Sequence, residues 1–191
     1  YFSGIGGIGM SGLAQLLHAE GKTVLGSDRA ESIVTQKLQQ QGIEVALTQD
    51  GSAITKELHL FVYSDAVPAT HPERVKATEL GIRSLSYFEA LGEYGKQFET
   101  MIAVSGTHGK STTTAMIATI FVNAGLNPTV IVGSIVKEFD SNRGNGSNAR
   151  VGSKRFFIVE ACEHQAHMLN LTPHTIVLTN IDADHLDYYR D

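Results

Sequence analysis

Met101-Ile102-Ala103-Val104-Ser105-Gly106-Thr107-His108-Gly109-Lys110-Ser111-Thr112-Thr113-Thr114 is the stretch whose reading decides the fold. It opens as an apolar run ending in small side chains, the pattern of a buried parallel strand. It leads into a segment with Met116, Ile117, Ile120 and Phe121 at helical spacing, and Gly125 supplies a helix stop. Between strand and helix stands Gly-x-x-Gly-Lys-Ser. Glycines there let backbone N–H groups face phosphate oxygens, and a helix N-terminus adds the positive end of its dipole. The pattern puts Lys110 on the outer phosphates and the Ser111 hydroxyl on Mg²⁺. A complete phosphate-loop motif has a glycine five residues before Gly109, where this chain has Val104. The competing reading is a glycine turn before an ordinary helix, and Gly-Lys-Ser directly after an apolar strand weighs against it.

Strand and helix signals alternate on the N-terminal side of this stretch. Gly4-Ile5-Gly6-Gly7-Ile8-Gly9 is a G-x-G-x-x-G that follows the stub of a strand and leads into a helix over 10–20, with Leu13, Leu16 and Leu17 on one face. A strand over 22–28 ends at Asp28, about 20 residues past the glycines, where dinucleotide folds place a ribose-binding carboxylate. A helix over 32–41, a strand over 43–47, a strand over 58–63, a helix over 72–80, a strand over 82–85 and a helix over 87–94 continue the series. Such alternation predicts a parallel sheet covered by helices, with ligands at the C-terminal strand ends. Gly4–Gly9, Asp28 and Ser64-Asp65-Ala66 all fall at such ends. The polar stretch 95–100 reads as a linker.

Beyond the central stretch, 129–132, 156–159 and 175–178 read as strands, and the Asn/Gly/Ser-rich 141–146 as a turn. Glu160 ends one strand and Asn180-Ile181-Asp182-Ala183-Asp184-His185-Leu186-Asp187 follows another. A carboxylate at a strand tip beside a phosphate loop suits Mg²⁺, a hard cation that takes oxygen ligands. His185 reads either as a loop histidine or as a functional one. His164 and His167 lack a third ligand at zinc-site spacing, and Cys162 reads as a small buried hydrophobe.

Composition narrows the classes. The 191 residues are 42% hydrophobic and 18% charged, with a net charge of −5 and one cysteine. Without a Lys/Arg run, a nucleic-acid surface is not expected. A single cysteine excludes an internal disulfide framework and fits a reducing, cytoplasmic compartment. No apolar run is long enough to span a bilayer, so no membrane partner is expected. The chain opens inside an apparent strand at Tyr1-Phe2-Ser3 and stops just after a motif. It therefore reads as a fragment of a longer protein.

Four motifs in order resemble the Mur ligases, the amide ligases that build peptidoglycan precursors. They are Gly4–Ala14 with Gly26-Ser27-Asp28, then Ser64-Asp65-Ala66-Val67-Pro68 with Pro72-Glu73, then Ser105–Thr114, then Glu160-Ala161-Cys162-Glu163 with Asn180–Asp187. His108 before Gly-Lys is similar to the branch that joins L-alanine to UDP-N-acetylmuramate. Asp65 departs from the family, which usually has a second serine there. The resemblance implies a Rossmann-like, parallel-sheet UDP-sugar-binding domain over 1–97, followed by the start of a P-loop ATPase-type α/β domain over 98–191. It implies that Gly4, Gly6, Gly7, Ile8, Gly9, Met10, Ser11, Asp28 and Ser64 hold UDP rather than NAD. It assigns Gly106, Thr107, His108, Gly109, Lys110, Ser111 and Thr112 to ATP, Ser111, Glu160 and His185 to Mg²⁺, and catalysis to Lys110 and His185. The implied reaction phosphorylates the sugar-nucleotide carboxylate with ATP, and the amine of L-alanine then attacks the acyl phosphate. Three alternatives stay open: a recycling ligase that adds a preformed tripeptide to the same sugar nucleotide, an NAD(P)-binding dehydrogenase, and a non-catalytic nucleotide-binding module.

Overall fold

Short strands alternating with helices build one parallel and one mainly parallel sheet. In the computed structural model, which describes residues 1–139, 146–183 and 188–189, the chain divides into two compact units, Tyr1–Ala90 and Leu91–Asp191.

The first unit contains β1 (Phe2–Ser3), α1 (Ile8–Ala19), β2 (Leu25–Ser27), α2 (Ile33–Gln40), β3 (Glu44–Ala46), β4 (Phe61–Tyr63), α3 (Pro72–Glu79) and β5 (Ser84–Ser86). The strands form one sheet in the order β3-β2-β1-β4-β5, all parallel. The chain builds one wing outward from β1 and then crosses to β4 on the other side. The strand order therefore reverses beside the C-terminal end of β1, where open α/β sheets bind ligands. Helix α1 turns Leu13 and Leu16 inward, each 1% exposed. Helix α2 starts at Ser32 with a reciprocal capping box to Thr35. Helix α3 carries Pro72 in its first turn, where the missing N–H removes no helical bond.

Helix α4 (Tyr87–Gly95) runs across the division in sequence. The second unit then contains β6 (Thr100–Ser105), α5 (Lys110–Asn123), β7 (Thr129–Val136), β8 (Ser147–Arg150), β9 (Phe156–Glu160) and β10 (Thr175–Leu178), with 3₁₀ segments at Lys137–Phe139 and His164–Asn170. The sheet order is β10-β6-β9-β7-β8. Every pairing is parallel except that of β7 with β8. Phe157, Ile158 and Val159 are fully buried. Phe98, within the expected linker, stacks on Phe157 at 4.9 Å between ring centroids. Val104, standing where a complete phosphate-loop motif has glycine, is fully buried in β6.

Three features depart from the sequence pattern. Helix α5 buries Thr114 and Ala118, with Ile117 and Phe121 packed beside them, while Met116 and Ile120 are about 60% exposed. Small Ala118 and self-capped Thr114, whose hydroxyl donates to Lys110 O, let the helix lie close to the sheet. Strand β7 runs four residues past the expected end at Val132, because β8 pairs with it. The apolar residues Ile176, Leu178 and Ile181 are 55–81% exposed on and beyond β10. The turn read at 141–146 lies, apart from Gly146, outside the described residues, as do Asp184, His185, Leu186 and Asp187.

Candidate functional site

The phosphate-type loop fills the junction between β6 and α5. Gly106 turns the chain at φ 127°, and Gly109 caps α5 at φ 81°. Both values are unfavourable for a residue with a Cβ. Beyond β10, Thr179 and Asn180 hold the loop from the side. The Thr179 hydroxyl donates to His108 O at 2.6 Å. The Asn180 side chain accepts from His108 N at 2.9 Å and donates to His108 O at 3.0 Å. Thr107 N donates to Asn180 O at 3.3 Å. The backbone N–H groups of Thr107 and His108 are therefore engaged within the protein. The donors that remain for an anion are those of the first turn of α5, which have no partner within the helix by geometry.

Two carboxylates meet the loop's side chains. Ser111 Oγ donates to Glu160 Oε1 at 2.8 Å. Glu160 Oε2 accepts from the backbone N–H of Gly133 in β7. Lys110 Nζ donates to Gly106 O at 2.6 Å, to Thr107 O at 3.1 Å and to Glu163 Oε1 at 2.9 Å. It also lies 2.9 Å from Glu163 Oε2, with both side chains less than a fifth exposed. Register explains the convergence: Glu160 pairs with Val104 and Leu178 with Ser105, so the ends of β9 and β10 stand beside the loop.

Ser111 and Glu160 fit a divalent cation. Their oxygens are hard ligands within one cation's reach, and Gly133 leaves room for the carboxylate, since a Cβ there would stand 2.7 Å from Glu160 Oε2. No group of three or more His, Cys, Asp or Glu side chains gathers for a metal among the described residues. His164 and His167 meet edge to face at 6.0 Å between rings. Burial pushes the Cys162 thiol upward, as suits a protonated spectator rather than a nucleophile. Glu163, Gly133, Thr179 and Asn180 are the contributors that the sequence pattern left without a role. Glu163 and Asn180 stand within motifs that carry the family resemblance, Thr179 directly precedes one of them, and Gly133, inside β7, carries no signal in the sequence.

In the first unit the glycine loop is held by its own strand ends. Gly4 N and Ile5 N both donate to Ser27 O at 2.9 Å. Asp28 Oδ2 accepts from Gly6 N at 2.8 Å, so this carboxylate braces the glycine loop. Gly9 opens α1 under the ring of Tyr87, which a Cβ would approach to 2.6 Å. Ser64 N donates to Ser3 O at 3.1 Å, bringing Ser64 beside Gly4. The structure thus gathers Gly4, Gly6, Gly7, Asp28 and Ser64 at one end of the sheet. Met10 and Ser11 turn inward, 3% and 0% exposed, and Ser11 Oγ donates to Ile8 O at 2.9 Å. Beneath the loop, fully buried Glu73 accepts from the hydroxyls of Tyr1 at 2.7 Å, Ser3 at 2.5 Å and Ser27 at 2.8 Å.

A parallel sheet, a Gly-Lys-Ser turn at a helix N-terminus and a carboxylate on the serine define a phosphate-loop α/β protein, preceded by a Rossmann-like unit. Comparison with known proteins narrows the class. Residues 1–99 match the family described as Mur ligase family, catalytic domain, and residues 104–191 match the Mur ligase middle domain. The chain belongs to the Mur ligase family. It is 44% identical over 191 residues to the UDP-N-acetylmuramate–L-alanine ligase of Clostridium novyi, covering all of this chain and 40% of the relative. The enzyme of the same name from Acetivibrio thermocellus is also 44% identical, with 39% of its length covered. Among solved structures, the UDP-N-acetylmuramate-alanine ligase of Thermotoga maritima superposes with a TM-score of 0.88 at 28% identity, covering all of this chain and 43% of that one. A UDP-N-acetylmuramate:L-alanyl-gamma-D-glutamyl-meso-diaminopimelate ligase from Neisseria meningitides superposes with a TM-score of 0.86 at 27% identity, covering all of this chain and 62% of that one. The chain spans about 40% of the length of the curated relatives it matches. No helix among the described residues is long and apolar enough to cross a membrane.

Proposed function

We propose that this chain carries the sugar-nucleotide and ATP sites of a ligase that joins L-alanine to UDP-N-acetylmuramate. Residues 1–97 hold the UDP-sugar and residues 98–191 hold ATP and Mg²⁺. The observation that carries this reading is the meeting of Lys110, Ser111 and Glu160 at one helix N-terminus, in a chain whose 44%-identical relatives bear that enzyme name.

A carboxylate is a poor acyl donor, and its phosphorylation by ATP creates a leaving group. The chain's part in that step is electrostatic positioning. The first turn of α5, Gly109 to Thr112, offers N–H donors to the phosphates. Lys110 neutralises charge on the transferring phosphoryl group. Ser111 and Glu160 hold Mg²⁺, which, when bound, polarises phosphoryl oxygens as a Lewis acid. His185 helps to hold a second metal in this reading. Phosphoryl transfer to the carboxylate releases ADP; the amine of L-alanine then attacks the acyl carbon, expels phosphate and gives up a proton as the amide forms. In the first unit, the glycine loop braced by Asp28 receives the diphosphate at the start of α1, with Ser64 beside it.

The experiment is L-alanine-dependent ADP release by the intact protein. Lys110→Ala should abolish it, and undiminished turnover in that variant would overturn the assignment. Offering L-alanyl-γ-D-glutamyl-meso-diaminopimelate as the acceptor tests the second reading, which the likeness to the Neisseria enzyme raises. Sequence identity favours L-alanine.

A further inference from the structure

We infer that Glu163 competes with phosphate for the ammonium of Lys110, and so makes the loop discriminate against nucleotide that arrives without a divalent cation. The inference rests on reading the loop as a nucleotide site. An ammonium has three N–H donors. Those of Lys110 meet Gly106 O, Thr107 O and the Glu163 carboxylate. A phosphate oxygen that takes the lysine must displace one of these acceptors. The two carbonyls belong to the loop backbone, which Thr179 and Asn180 brace on its other side. Glu163 is a side chain and can withdraw.

The placement of Glu163 is imposed by the segment that carries it. It precedes the 3₁₀ segment His164–Asn170, in which Gln165 and Ala166 stand at φ 50° and 58°. Side-chain-bearing residues hold this conformation only where the surroundings enforce it, and they gather at functional sites. Here the carbonyl of Glu163 accepts from Ala166 N at 2.9 Å and from the Tyr189 hydroxyl at 2.5 Å. Glu163 also lines a cavity of about 620 Å³ together with Gly106 and Thr107, so a ligand at the loop can reach the ion pair.

The charges then set a direction. When Lys110 moves to a phosphate, Glu163 is left facing a polyanion, with Glu160 three residues away. A divalent cation carried by the nucleotide offsets that repulsion, and bare nucleotide has nothing to offset it. Removing the charge of Glu163 should therefore favour bare nucleotide more than the Mg²⁺ complex. A role limited to holding the fold would move both affinities alike.

The test is calorimetric titration of the intact protein with ADP, once in excess chelator and once with saturating Mg²⁺, on wild type, Glu163→Gln, Lys110→Ala and the double variant. Glu163→Gln should bind bare ADP about tenfold more tightly, roughly 1.4 kcal/mol, with a smaller gain for the Mg²⁺ complex. In the Lys110→Ala background the gain should shrink. Glu163→Asp keeps the charge but draws it back from the lysine, and should fall between wild type and Glu163→Gln. If Lys110→Ala loses ADP while Glu163→Gln binds bare ADP no better than wild type, the inference fails and the loop assignment stands. If Lys110→Ala binds ADP as wild type does, the loop assignment fails and takes the inference with it.

Discussion

Gly133→Ala separates the proposed metal site from the fold that carries it. Gly133 lies in β7 and donates its N–H to Glu160 Oε2. A Cβ added there would stand 2.7 Å from that same oxygen and 3.3 Å from the carboxyl carbon. Ordinary contact begins at 3.4 Å, so the carboxylate must retreat by about 0.7 Å (3.4 less 2.7). The retreating atoms end a flexible side chain and no positive φ is required at this position, so the strand accepts the alanine. Replacing glycine in a strand interior is itself favourable by about 0.5–1 kcal/mol, and net stability should stay within about 1 kcal/mol of wild type. The metal is less forgiving. Mg²⁺ demands near-ideal geometry at about 2.0–2.1 Å, and a ligand displaced by most of an ångström costs on the order of 10- to 100-fold in rate. Thermal melting together with a Mg²⁺ titration of ADP release measures both quantities on one preparation. The melting point should hold, turnover should fall, and half-saturation should need more Mg²⁺. Unchanged turnover and Mg²⁺ dependence in a normally folded variant would refute both the role of Glu160 and that of Gly133 as the backbone donor that aims it.

What the sequence reveals here is whatever lies along one strand–loop–helix unit. Ser105–Thr112 and Gly4–Gly9 are legible because glycines, cap and apolar run are contiguous and obey one geometry. What joins distant segments is not legible. Thr179 and Asn180 hold His108 because β10 pairs with β6 in parallel, and nothing in the spelling of either strand announces that neighbour. Glu163 reaches Lys110 only because the end of β9 lies beside the loop, and the left-handed residues that follow it are neither Gly nor Asn. Strand β8, Ser147-Asn148-Ala149-Arg150, escapes periodicity analysis because its first three residues are all buried although two of them are polar, so no apolar alternation marks it. Asp28 gains a second task that spacing does not show: its Oδ2 accepts from Gly6 N and braces the glycine loop.

Two further outcomes can be stated from the geometry. Gly106→Ala should destabilise the second unit by about 3–5 kcal/mol, because φ 127° is strained for alanine and its Cβ would lie 2.2 Å from Thr179 Oγ1 and 2.8 Å from Asn180 O. Gly109→Ala, at φ 81° with nothing within 4 Å, should cost only about 1–2 kcal/mol, and equal midpoints in urea would show that the contact with Thr179 and Asn180 is not tight. Glu73→Ala should destabilise the first unit. Glu73 is fully buried and accepts from the hydroxyls of Tyr1, Ser3 and Ser27. Truncation leaves those donors in a dry cavity of its own making, at a cost of about 3–5 kcal/mol. Glu73→Gln keeps the volume and one acceptor oxygen and should cost about 1–2 kcal/mol. Ser3 and Ser27 are the last residues of β1 and β2, from which Gly4–Gly9 and Asp28 project. The loosened ends should therefore raise the KM for the sugar nucleotide more than the KM for ATP. Urea midpoints in the order wild type, Gln, Ala, with the two KM values moving apart, are the expected result; an alanine variant as stable as wild type would mean that the carboxylate does not tie these strands together.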